Sequence, residues 1–103
     1  MERNMGDRRV VVTGLGCLTP VGNSPEELWE SLLAGKHGFE LAEWFPEEPE
    51  TKGIVARVKN FDPTTLFDKK EVRRNDVIVQ YAVYCAEQAL KDAGTDFKDV
   101  DPF

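Results

Sequence analysis

Residues 8–23, RRVVVTGLGCLTPVGN, decide the fold: a β-branched run, a glycine-rich turn and the approach to a helix follow one another without interruption. Val10, Val11 and Val12 form an unbroken apolar stretch, the pattern of a central strand covered on both faces by helices. Gly14, Gly16 and Gly22 permit crowded or left-handed backbone around Cys17, Leu18 and Pro20, as a sharp exit from a strand requires. A helix is then signposted by Ser24 as N-cap, Pro25 at the first helical position and Glu27 completing an S-x-x-E capping box. Leu28, Trp29, Leu32 and Leu33 share one face, and Gly35 suits the left-handed position beyond the helix end. This strand–turn–helix unit predicts the opening of an α/β domain.

Composition narrows the function classes. A chain of 103 residues, 41% hydrophobic and 31% charged, is at most one globular domain. Its formal charge of −6 argues against nonspecific nucleic-acid binding, which needs clustered cations to neutralise phosphates. The three valines after Arg8 and Arg9 fall short of the ~7–15 apolar residues of a signal-peptide core. No run approaches a membrane span. Cys17 and Cys85 lack C-x-x-C spacing, so neither a disulfide framework nor a zinc site is expected, and a cytoplasmic setting fits.

Beyond the first helix the pattern loosens. HGFELAEWFPEEPETKG, from residue 37 to 53, reads as an irregular segment anchored by Phe39, Leu41, Trp44 and Phe45, with Glu47, Glu48 and Glu50 as a solvated loop. Ile54, Ala56 and Val58 alternate with Val55, Arg57 and Lys59, as in a short edge strand. Asp62-Pro63 predicts a short helix through Phe67, and Asp68 with Glu71 predicts another directly after it. From Asp76 to Ala93 no glycine or proline interrupts a helix of about five turns. Its apolar residues run nearly all round the first three turns, which predicts burial on several sides. One firm strand and one weak one cannot build the sheet these surfaces demand. Either another chain supplies the missing layers or these residues open a longer polypeptide, and the second reading is favoured.

Candidate chemistry is sparse. Gly14-Leu15-Gly16 follows a strand as a dinucleotide fingerprint would, but Thr19 stands where the third glycine belongs. His37 sits past the first helix, where a loop role is the simplest. Cys17 and Cys85 have no base nearby in sequence, so both are expected to pack rather than react. Lys69, Lys70, Arg73 and Arg74 are the notable group. On a helix, Lys70, Arg73 and Arg74 at i, i+3 and i+4 share a face. That face is either solvated or fit to receive an acidic helix or a phosphate.

Taken in order, VVVTGLGCLTPVGN, PEELWESLLAGKHG, VKNFDP, KKEVRRND and QYAVYCAEQALKDAG resemble the amino-terminal region of the β-ketoacyl-acyl-carrier-protein synthase II family of condensing enzymes. The resemblance implies a thiolase-like layered α-β-α-β-α fold, of which residues 1–103 would be the beginning of the first half, completed as a homodimer. It also implies a decarboxylative Claisen condensation in fatty acid biosynthesis, with a cysteine nucleophile and two histidines that the family carries beyond the position of Phe103. No catalytic residue is thus expected in this chain, nor any cofactor or metal. The expected partner is acyl carrier protein, whose acidic recognition helix the family receives on positions matching Lys70, Arg73 and Arg74, with Lys69 beside them. Two alternatives are a non-catalytic chain-length-factor-like partner and a truncated carrier-protein-binding module.

Overall fold

The computed structural model describes residues 7–43, 47–95 and 97–98. Ser24 caps the first helix, α1 (Pro25–Leu33), its Oγ accepting the Glu27 N–H at 3.1 Å. The Glu27 carboxylate reaches one residue further than a capping box requires and accepts the Asn23 N–H at 2.8 Å. Beyond the end of α1, Gly35 takes a φ of 71°, a conformation glycine adopts without steric cost.

The segment expected to be irregular contains a strand. β1 (Phe39–Glu43) pairs antiparallel with β2 (Lys52–Ala56), setting Phe39 opposite Ala56 and Leu41 opposite Ile54. Alternation in FELAE matches alternation in KGIVA, so each strand supplies the backbone partner the other needs. Exposed ion pairs Lys52–Glu43 at 3.9 Å and Arg57–Glu40 at 3.6 Å flank the ladder. Trp44 and Phe45, expected as anchors, lie outside the described residues. After β2, Asp62 caps a single 3₁₀ turn, Pro63–Thr65, shorter than the helix expected through Phe67. Two further helices follow, α2 (Lys69–Arg74) and α3 (Val77–Ala93), the latter closed by Gly94 in the left-handed conformation.

The central feature is how residues 14–23 lie along α3. Asp92 accepts the Leu15 N–H at 2.9 Å, and Gln88 Oε1 accepts the Cys17 N–H at 2.8 Å. Gln88 Nε2 donates to the Asn23 carbonyl at 2.7 Å, where Tyr84 Oη also donates at 3.2 Å. Spacing by four places Tyr84, Gln88 and Asp92 on one helix face, so a polar stripe reads the backbone of the glycine-rich segment. The glycines make the contact possible. A Cβ on Gly16 would sit 2.1 Å from the Cys85 carbonyl oxygen, and one on Gly14 would sit 2.2 Å from that of Ala89. Thr19 and Gly22 close the tight turn at the end of this segment. Ser31, buried, fastens the turn to α1 by donating to the Val21 carbonyl at 2.6 Å.

Two expectations about burial change. Val10, Val11 and Val12 form no strand, and Val10 is 93% exposed. A strand needs neighbours for its N–H and C=O groups, and no described segment lies alongside to provide them. The first turns of α3 are likewise open, with Ile78 74% exposed. Among the described residues Ala42 is the one buried apolar side chain, while Ser31 and Gln80 are buried polar ones. The radius of gyration is 19.1 Å, against ~13 Å for a compact chain of this length. The elements are formed, and their apolar faces are unpartnered. No helix among the described residues is long and apolar enough to cross a membrane.

Gly16→Ala forces a methyl group into the α3 backbone and is expected to lower the stability of the intact protein by about 2 kcal/mol, measured by urea unfolding. Wild-type stability in that variant would contradict the close approach.

Candidate functional site

α2 is short, and its position rests on side chains at both ends. Asp68 Oδ1 accepts the Glu71 N–H at 2.7 Å and Glu71 Oε2 accepts the Asp68 N–H at 3.4 Å, forming the capping box expected from the sequence. At the other end Asn75 Nδ2 donates to the Glu71 carbonyl at 3.0 Å. Gln80, from the first turns of α3, donates to the carbonyls of Val72 and Asn75, both at 3.2 Å. Gln80 is only 6% exposed. A buried amide bridging two carbonyls fixes the corner between the helices, since leaving those groups unpaired would cost ~1–3 kcal/mol.

With Val72 turned inward, Lys69, Lys70, Arg73 and Arg74 are all exposed. The structure brings the four expected residues together on one six-residue helix. None of them forms an ion pair among the described residues, and the intervening Glu71 is engaged in the cap. Arg73 and Arg74 in the last turn also complement the negative end of the helix. The result is a capped cationic surface without ion pairs among the described residues, on an otherwise acidic chain. Sequence reasoning passed over Gln80 and the Tyr84, Gln88 and Asp92 stripe, although polar residues every fourth position on an apolar helix were the available signal.

The other candidates have local contacts. Burial pushes the Cys17 thiol above its ordinary range, and the nearby Cys85, Glu26 and Glu27 push it the same way. Such a thiol is not an activated nucleophile. Both cysteines are free. His37 Nδ1 accepts the Phe39 N–H at 3.2 Å, giving the ring a local partner. Glu48 belongs to a turn closed by the Thr51 N–H at 2.9 Å, and no metal-ligating cluster occurs among the described residues. Hydrogen bonds from the Thr64 hydroxyl and N–H hold the Asp62 carboxyl below its ordinary range. This cap is therefore intact above that range and is lost as pH falls through the lowered value.

Comparison with known proteins agrees with this assembly of motifs. The family profile described as "Beta-ketoacyl synthase, N-terminal domain" matches residues 7–102, and the chain belongs to that family. A protein of Coxiella burnetii (strain RSA 493 / Nine Mile phase I) named "3-oxoacyl-[acyl-carrier-protein] synthase 2" is 40% identical over 97 residues, 94% of this chain and 23% of the relative. Proteins of the same name from Staphylococcus aureus (strain N315) and Vibrio cholerae serotype O1 (strain ATCC 39315 / El Tor Inaba N16961) are each 40% identical. They cover 90% and 92% of this chain, and 22% and 23% of their own lengths. The chain thus spans less than a quarter of these relatives. Family membership implies a thiolase-like fold, with which the mixed helix and strand elements are consistent.

Two outcomes test the site. Asp68→Ala is expected to cost about 1 kcal/mol and to accelerate amide hydrogen exchange selectively in α2, as loss of an N-cap does. Cys17 is expected to react with iodoacetamide only at higher pH than an ordinary thiol, followed by mass spectrometry of the labelled peptide. Rapid alkylation at neutral pH would show an activated thiolate instead.

Proposed function

We propose that the protein is a 3-oxoacyl-[acyl-carrier-protein] synthase of fatty acid biosynthesis and that this chain supplies scaffold and carrier-protein docking surface rather than the nucleophile. The observation that carries the docking role is the α2 surface: four exposed cations, held at fixed spacing by the Asp68 cap and the Gln80 corner. Lys70, Arg73 and Arg74 receive the acidic helix of acyl carrier protein, and Lys69 extends the same field. Charge complementarity of this kind speeds encounter and sets orientation.

The reaction is a decarboxylative Claisen condensation. The carbanion left when malonyl carrier protein loses carbon dioxide attacks the carbonyl of an acyl group held as a thioester on a cysteine; the new carbon–carbon bond forms as the acyl–sulfur bond breaks, and the cysteine leaves as its thiolate. Residues 1–103 form the amino-terminal portion of the condensing domain, and the open faces of residues 10–12 and α3 are covered by further layers of an α-β-α-β-α arrangement. The working form is a cytoplasmic homodimer. Support comes from the family, from the relatives' names and from the unpartnered apolar surface.

In the intact protein, Lys70→Glu, Arg73→Glu and Arg74→Glu together are expected to weaken acyl-carrier-protein binding at least about tenfold at low ionic strength and to flatten its salt dependence. Surface plasmon resonance across a salt series measures both. Unchanged affinity at low salt would overturn the docking role.

A further inference from the structure

On another face of the molecule, the Thr19–Gly22 turn, the end of α1 and the chain leaving β2 surround an open concavity of about 750 Å3. Its wall carries three basic side chains, Lys36, His37 and Lys59, against one carboxylate, Glu27, which already accepts the Asn23 N–H. On a chain of net charge −6 this lining runs against the bulk. One of the basic groups, Lys59, is fixed on Pro20. Lys59 Nζ donates to the carbonyls of Pro20 at 3.4 Å and Arg57 at 3.2 Å, which holds the ammonium over the turn. Gly38 lies so near that a Cβ on it would be 2.4 Å from the Pro20 Cβ, which brings the backbone following His37 against the same turn.

Donor chemistry is consistent with an anion. Because His37 Nδ1 accepts the Phe39 N–H, the neutral ring carries its hydrogen on Nε2 and presents a donor there. Asn60, next to Lys59 in the wall, has a φ of 60°, a left-handed conformation that asparagine tolerates. Its side-chain amide adds further donors. Two ammonium groups, an imidazole N–H and an amide match the several acceptor oxygens and double charge of a phosphate ester.

We propose that this concavity binds the phosphate monoester group of a small molecule, at a site distinct from the α2 surface. The probe is methyl phosphate, followed by its 31P linewidth in the presence of the intact protein, with inorganic phosphate as competitor. Broadening is expected with wild type. Lys36→Gln with His37→Gln is expected to reduce affinity at least about tenfold, and Lys36→Gln alone several-fold, while the α2 charge reversals leave it intact. Both residues are exposed, so unfolding is not expected, and an unchanged thermal transition verifies this. Absence of broadening, or its loss on reversing α2 but not on neutralising Lys36 and His37, would overturn the site. Displacement by inorganic phosphate at equal affinity would overturn the ester assignment.

Discussion

The structure depends on the hydrogen bonding of α3 to the backbone of residues 15–23. Tyr84, Gln88 and Asp92 satisfy peptide groups that an irregular, glycine-rich segment cannot satisfy for itself, and Gly14 and Gly16 remove the atoms that would hold the two apart. Glycine here serves close packing against a helix rather than a nucleotide phosphate. The same helix uses Gln80 to fix α2, so one element sets both the turn that begins α1 and the direction of the cationic surface.

That arrangement separates two kinds of surface. Polar contacts within the described chain are well matched, and no buried side-chain polar atom among them lacks a partner. Apolar surface is not matched: Val10–Val12, much of α3 and the outer faces of Trp29, Leu32 and Leu33 stay in contact with solvent. Exposed apolar area on this scale is a drive toward association, because each buried Å2 contributes ~25 cal/mol. A synthase built of stacked layers would satisfy it, and the relatives are more than four times the length of the region they share with this chain.

Local elements were legible because their signals are local. The Ser24-Pro25-Glu27 start, the Asp68–Glu71 cap, the uninterrupted run to Gly94 and the basic face of α2 all follow from neighbours within a turn or two of helix. The β1 strand was not legible in FELAE, since its identity depends on register with a partner beginning nine residues after it ends. The concavity holding Lys36, His37 and Lys59 was equally hidden, because 22 residues separate the outer two of these positions in the chain.

By itself, then, the sequence determined the positions of α1, α2 and α3, the cationic group at residues 69–74 and membership in a condensing-enzyme family, all of which depend on residue types at short spacing, while the helix expected through Phe67 shrank to a single turn. Only the tertiary structure decided that Val10–Val12 lack sheet partners among the described residues, that Gly16 lies against the Cys85 carbonyl and that Gln80 holds α2 in place. Those outcomes arise from hydrogen bonds and steric exclusion between segments far apart in the chain, where propensity carries no information and geometry does.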